Sequence, residues 1–154
     1  MYDPLSPPQN LRIAGLGRRS LAALFDFAVM CAALFSYAHF FGEETSPGRW
    51  DVGGTGAMII LSVCASYWIA PEWLWGKSLG KLLFDLRVVS SKGQPCSLTQ
   101  SVQRNVLRVV DIQSLYLVGF LAAKFNPLTQ RLGDQWARTV VIHDRPIPLP
   151  PAVQ

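Results

Sequence analysis

Two long apolar runs limit the folds that this chain can adopt. Residues 20–41 form the first run, which contains one acidic residue, Asp26, and residues 52–71 form a second run without any charge. About twenty apolar residues suffice to cross a bilayer core of about 30 Å as a helix. Charged residues make up 16% of the chain, against about 25% in a typical soluble domain. The sequence therefore predicts an integral membrane protein with helical spans over 20–41 and 52–75.

Basic residues flank the two spans unevenly, and this asymmetry predicts the orientation. Three arginines precede the first span, only Arg49 lies between the spans, and six Lys and Arg residues follow over 76–108. The positive-inside rule then places the N-terminus and the loop 76–104 in the cytoplasm. The basic residues form no dense patch, so nucleic-acid binding is not expected.

The chain after the second span combines strand patterns with a third apolar segment, 105–125. Residues 86–89 and 139–142 are predicted to be short strands that pair with each other, and 94–97 is a possible return strand after a turn at 90–93. Only residues 112–123 of the third segment are uncharged, which is short for a span. We expect a broken or re-entrant segment that leaves the tail in the cytoplasm, and a simple third span with the tail outside is the alternative.

The predicted fold is an all-α membrane protein with two transmembrane helices, a third broken or re-entrant segment and a small cytoplasmic β element. The membrane domain spans 10–143. The N-terminal residues 1–9 and the Pro-rich tail 144–154 are expected to be disordered.

Ionisable residues in and beside the spans are the candidate functional charges. A charge in a membrane helix costs at least about 2.5–3.5 kcal/mol on insertion scales, which favours a partner or a task for Asp26. Arg19 lies about two turns away on the same helix face. Glu72 follows Pro71, which should kink or end the helix, and either snorkels to the interface or pairs with Lys77 or an arginine.

Three roles are open for Asp26. It is a buried tie to an arginine of another segment, such as Arg104 or Arg108, or it binds a cation or relays protons together with Asp111 or Glu72. In the third role its charge pairs across a subunit interface.

Four local patterns follow one another along the chain. They are Arg19 with Asp26, GKSLGKLLFDLRVVSSKG at 76–93, QRNVLRVVD at 103–111 and RLGDQWARTVV at 131–141. In this order and spacing they resemble the RDD family of small bacterial membrane proteins, over about residues 10–143. The resemblance implies a multi-pass protein of the inner membrane, for which transport has been suggested and no activity is settled.

The resemblance assigns the family's arginine to Arg19, with Arg18 as the alternative, and its first aspartate to Asp26. The second aspartate is either Asp111 or Asp134. Asp134 also suits a helix start, where it caps backbone N–H groups, or an ion pair with Arg104 or Lys81. The sequence departs from the family at Phe84–Asp85, where relatives more often have an apolar residue and glycine, and at Arg138, where glycine is common.

Enzymatic, metal and cofactor chemistry are not expected. No Ser/His/Asp, Cys/His or paired-carboxylate pattern of a hydrolase occurs. Cys31, Cys64 and Cys96 have no paired spacing that predicts a disulfide framework or a zinc motif. Gly76–Lys77–Ser78 lacks the upstream glycine of a phosphate-binding loop, because Pro71 occupies that position.

Two functions remain as hypotheses. The first is transport or exchange of a cation, a proton or a small solute. The second is a non-transporting membrane subunit that scaffolds a complex or a homo-oligomer. The expected partners are the lipid bilayer and either a second copy or another membrane protein.

Overall fold

The described chain is mostly helical, with two small antiparallel sheets. A computed structural model describes residues 12–113 and 117–144. The helices are α1 (Leu16–Phe41), α2 (Gly54–Trp75), α3 (Leu79–Leu83), α4 (Leu98–Gln113), α5 (Leu117–Phe125) and α6 (Leu132–Trp136), and the strands are β1 (Glu43–Ser46), β2 (Arg49–Asp51), β3 (Leu86–Ser90) and β4 (Thr139–His143). The ends that were predicted to be disordered, 1–9 and all but the first residue of 144–154, lie outside the described residues.

Helices α1 and α2 are the predicted spans. Among the described residues, they are the two helices long and apolar enough to cross a membrane. α1 starts at Leu16, before the predicted residue 20, and α2 starts at Gly54, two residues after the predicted 52. Only 17% of the most apolar window of each helix is buried within the chain. The remaining apolar surface suits contact with lipid and would be unfavourable in water.

Pro71 lies inside α2 and does not end it. The helix continues through Glu72 to Trp75. Gly76 then closes it with a left-handed backbone (φ +69°), and its N–H donates to the carbonyl of Glu72 at 3.0 Å. Of the two effects expected of Pro71, a kink or an end of the helix, the end does not occur, and the helix ends at Trp75 as predicted. Glu72 is therefore held on an intact last turn.

The loop between the spans forms the hairpin β1–β2, in which Glu43 faces Asp51 and Glu44 faces Trp50. The indole of Trp50 lies edge-on to the rings of Phe35 and His39, with centroids 5.6 and 5.0 Å apart. These contacts fix the hairpin against the end of α1.

Strands β3 and β4 pair antiparallel, as the sequence predicts. The register runs from Leu86 opposite His143 to Ser90 opposite Thr139. The turn after β3 also forms, since the N–H of Gly93 donates to the carbonyl of Ser90 at 2.8 Å. The possible return strand 94–97 is reduced to one bridge between Val89 and Pro95. The sheet brings the end of the domain beside the loop that follows α2, and its cytoplasmic location stays a prediction.

The third apolar segment, 105–125, covers most of α4 and all of α5, on either side of residues 114–116. The start of α4 lies beside α2, because the hydroxyl of Ser101 donates to the carbonyl of Ile69 at 2.9 Å. Neither α4 nor α5, as far as the structure describes them, is long and apolar enough to cross a membrane. A re-entrant path for this segment stays a prediction.

Asp85 and Arg138, two of the residues at which the sequence departs from the pattern that it resembles, both have a left-handed backbone. Asp85 (φ +54°) precedes β3 and Arg138 (φ +50°) precedes β4. This conformation is unstrained for glycine, tolerated by aspartate and unfavourable for other side chains. Both strands of the sheet are therefore entered through a turn that suits glycine.

Replacing Arg138 by glycine is expected to raise the free energy of unfolding by about 1 kcal/mol, because the left-handed residue then has no Cβ. Thermal unfolding in detergent, followed by circular dichroism, measures the change. Arg138→Ala is the matched control, because it removes the same charge and keeps the Cβ. Equal melting temperatures for the two variants would contradict the role of the backbone.

Helix α3 packs against α1 through Gly80. A Cβ at this position would collide with the backbone carbonyl of Ala22 and lie 3.0 Å from the carboxyl carbon of Asp26. Gly76 thus serves the turn that closes α2, whereas Gly80 serves close packing.

Gly80→Ala is expected to lower the free energy of unfolding by about 3 kcal/mol, because the backbone of α1 has to move to admit the methyl group. Gly17→Ala, where an added Cβ meets no atom within 4 Å, should leave stability unchanged or slightly higher. Chemical denaturation of both variants in detergent tests this contrast. A Gly80→Ala protein as stable as the Gly17→Ala protein would disprove the close approach.

Candidate functional site

A buried carboxylate, Glu72, is the centre of one half of an ionic network. Its side chain is fully buried near the end of α2. It accepts a hydrogen bond from the ammonium of Lys81, and Arg104 Nε and Arg108 Nη2 lie 3.1 and 3.2 Å from its oxygens. Arg108 also lies over the ring of Trp68, 4.9 Å from its centroid. The predicted pairing of Glu72 with an arginine is therefore present, and the snorkelling alternative is not.

Asp134 is the centre of the other half, and Arg104 joins the two halves. Arg104 Nη1 lies 2.7 Å from Asp134 Oδ1, and Arg19 donates to Asp134 Oδ2. The same oxygen accepts from the backbone N–H of Arg131, at 3.2 Å, at the start of α6. Asp134 thus has both roles that its position suggested, the helix cap and an ion pair with Arg104. Lys81, its other suggested partner, binds Glu72.

Arg19 connects the network to the first span. It is 6% exposed and also donates to the backbone carbonyl of Thr129, whose hydroxyl in turn donates to the carbonyl of Ala14 at 3.1 Å. Arg18, the alternative family arginine, is exposed. The structure places Arg19 against Asp134. Asp111 lies in α4, and its side chain is outside what the structure describes.

Asp26 is buried beside the network, with neutral partners. Its carboxylate accepts hydrogen bonds from the hydroxyls of Tyr67 and Ser78, at 3.0 and 2.5 Å, and from the backbone N–H of Gly80 at 2.7 Å. An ion pair with Arg104 or Arg108, one of the three roles open for Asp26, is not among these contacts. The reason is the close packing of α3 on α1, which brings the start of α3 to the carboxylate.

The other suggested partner of Glu72, Lys77, lies outside the network. It donates to Asp144, and Arg87 Nε lies 2.6 Å from the same carboxylate. Asp144, expected to begin the disordered tail, therefore pairs with the loop that follows α2.

The sequence did not single out Lys81, Ser78, Thr129 or Thr139 as site residues. Thr139 binds Arg104, whose Nη1 lies 2.6 Å from the threonine hydroxyl. Lys81 and Ser78 stand in the GKSLGK motif, and the sequence suggested Lys81 only as a possible partner of Asp134.

The network draws residues from all four of the sequence patterns, together with Glu72. A model of the RDD family matches residues 13–138, most of the chain. The chain belongs to the RDD family. No curated protein and no solved structure matches it significantly. The matched range starts ahead of α1 and ends just before β4, so every network residue except Thr139 lies within this RDD domain.

A cavity of about 40 Å³ lies inside this part of the RDD domain, lined by Arg19, Asp26, Lys81, Arg104, Arg108, Arg131 and Asp134 among others. Burial lowers the pKa of Lys81 to about 8, an effect that Glu72 opposes and that Arg104 and Arg108 reinforce. Lys81 can therefore change its charge near neutral pH. In the described ranges, no three His, Cys, Asp or Glu residues stand close enough together to hold a metal ion.

The surrounding arginines keep the Asp134 carboxylate in its charged form. Burial alone would raise its pKa, but the guanidinium groups of Arg104 and Arg19 hold it well below its ordinary value. A carboxylate of this kind stabilises the fold above the pKa of the unfolded state, about 4, and this contribution is lost as the pH falls toward the folded-state pKa.

Asp134→Asn is expected to lower the free energy of unfolding at pH 7 by about 3 kcal/mol, because Arg19 and Arg104 lose a buried counter-charge. As the pH is lowered from 5 to 3, the stability of the variant should also fall less than that of the wild type. This range spans the pKa of a free carboxylate, about 4. Thermal unfolding across this range measures both effects. Asp51→Asn, on exposed β2, is the control. Identical pH profiles for the wild type and Asp134→Asn would contradict the assignment.

Proposed function

We propose that this RDD-family protein is a transport or exchange module of the bacterial inner membrane, with its N-terminus in the cytoplasm. In this proposal the buried ionic network is the site at which a proton or a small solute is bound. The observation that supports it most is the uneven charge of the network. Four cationic side chains, Arg19, Lys81, Arg104 and Arg108, are bonded to two carboxylates, Glu72 and Asp134.

Stability alone is a weak reason to keep so many buried charges. Replacing a buried ion pair with apolar side chains of similar volume is often neutral or stabilising. An ionisable residue in a membrane span is, by default, a candidate for a pathway or a relay. The network joins such residues from α1 and α2 to Lys81, and a cavity lies against it. This arrangement favours a role in moving charge.

The charge of the site favours a proton or an anionic solute over a metal cation. The guanidinium groups of Arg104 and Arg108 would repel a metal ion from Glu72. Lys81 can release a proton near pH 8, and Glu72 then keeps both arginines as partners. Lys81 is therefore the group that we assign to carry the proton.

Lys81→Met should reduce proton flux in proteoliposomes at least tenfold, because the variant fills the same space without a titratable group. A pH-sensitive dye inside the vesicles reports the flux under an imposed potassium diffusion potential. Lys92→Met, on the exposed turn after β3, is the matched control and should retain the wild-type flux. Asp26→Asn should also reduce flux, because the amide cannot accept all three hydrogen bonds in the same way.

Insertion and folding of each variant are verified by size-exclusion chromatography and circular dichroism. Equal flux in the Lys81→Met and wild-type proteins would remove Lys81 from the mechanism. No flux of H⁺, Na⁺ or K⁺ in the wild type would leave exchange of an uncharged or anionic solute as the form of the proposal to test next.

A second candidate function is a non-transporting subunit that assembles with itself or with another membrane protein. The low burial of α1 and α2 supports it, because two spans with so much free surface form a poor enclosed pathway in one copy. Mass measurement in nanodiscs separates the two hypotheses. A monodisperse monomer that carries flux would exclude assembly as the main function.

A further inference from the structure

We propose that the cavity beside the network binds one small inorganic anion. Five cationic side chains line it, and they come from α1, α3, α4 and the start of α6. They are Arg19, Lys81, Arg104, Arg108 and Arg131. The acidic residues that line it are Asp26 and Asp134.

The carboxylates near the cavity are already bonded. Both carboxylate oxygens of Asp134 are bonded, to two arginines and a backbone N–H. Both oxygens of Asp26 accept hydrogen bonds, from two hydroxyls and a backbone N–H. Glu72, just behind the wall, likewise shares both oxygens among three cations. Counting these three carboxylates against the five cations leaves two positive charges in excess. In a poorly solvated site, such an excess attracts an anion or drives off a proton.

The size and the walls of the cavity limit the ligand. A water molecule needs roughly 10–15 Å³ on the same measure, so about 40 Å³ admits a halide or a compact oxyanion. The apolar part of the wall is formed by Ala22, Ala23, Leu86 and Val141. Three of these four side chains are buried in the core, which leaves no room for a nucleotide or a long organic acid.

The protonation of Lys81 is linked to the anion. The charged groups that act on its ammonium are Glu72 from α2 and Arg104 and Arg108 from α4. The other charged groups that line the cavity are Arg19 and Asp26 from α1 and Arg131 and Asp134 from α6 and its start. A bound anion adds negative charge beside these cations and favours the protonated amine. Anion binding should therefore take up a proton at pH values near 8 and weaken as the pH rises further.

The anion would occupy the same site as the proposed exchange function. Its part in transport rests on that proposal. Binding itself is measured without flux, so the two can fail separately. Saturable binding in a protein that carries no flux would support the anion site and remove the exchange function. Flux without anion binding would remove the anion site alone.

Equilibrium dialysis of the full chain in mild detergent tests the inference, with radiolabelled chloride or phosphate as the probe and gluconate to keep the ionic strength constant. The wild type is expected to bind one chloride or one phosphate per chain, saturably, and more weakly at pH 9.5 than at pH 7. Arg108→Gln should weaken binding at least tenfold, because it removes one cation of the lining. Lys92→Gln, an equal loss of charge on an exposed turn, should bind like the wild type.

Arg108→Lys keeps the positive charge and should bind within threefold of the wild type, which separates a role in binding from a role in folding. Where Arg108→Gln does not fold, Arg131→Gln takes its place, since Arg131 lies on the cavity wall and is only half-buried. Binding that does not saturate, or that is equal in Arg108→Gln and Lys92→Gln, would overturn the proposal.

Discussion

The guanidinium group of Arg104 holds the two carboxylate centres of the domain together. It contacts Glu72 on one side and Asp134 on the other. Burial would lower its pKa, but the two carboxylates raise it above the ordinary value. The group is therefore cationic at every pH that the protein meets. The last turn of α2, the start of α6 and the entry to β4 are all positioned by this one side chain. Gly133 lets α6 approach closely enough, because a Cβ there would lie 2.8 Å from the carbonyl of Arg104.

Hydrophobic burial within the chain contributes comparatively little to this arrangement. The described core is small, with one cluster around Leu86, Val88 and Val141 and a second around Val89, Val140 and Ile142. Both belong to the sheet and its surroundings, whereas the two spans leave most of their apolar side chains uncovered. In lipid, apolar contact gives little reason for helices to associate, so polar contacts and close backbone approach set the packing. The ionic network and Gly80 have this role here.

The sequence predicted the elements of this fold better than the contacts between them. Span lengths and the pairing of β3 with β4 follow from hydropathy and local periodicity, which depend on neighbouring residues. The partners of Asp26 could not be read in this way, because Tyr67, Ser78 and Gly80 reach it only after α3 has packed on α1. The pairing of Lys81 with Glu72 was missed for the same reason. A lysine in a basic loop satisfies the positive-inside rule, and only the fold shows that it is turned inward to Glu72.

The network also fixes an order of assembly. Glu72 meets Arg104 across 32 residues of sequence, and Arg19 meets Asp134 across 115. During synthesis the first two helices are therefore made, and can enter the bilayer, while the residues that neutralise their charges have yet to leave the ribosome. Water or lipid headgroups must solvate Arg19 until then, whereas Glu72 can already pair with Lys81, nine residues further on. The folded domain is completed from its C-terminal end, when α6 and β4 arrive to close both the sheet and the charge network in one step.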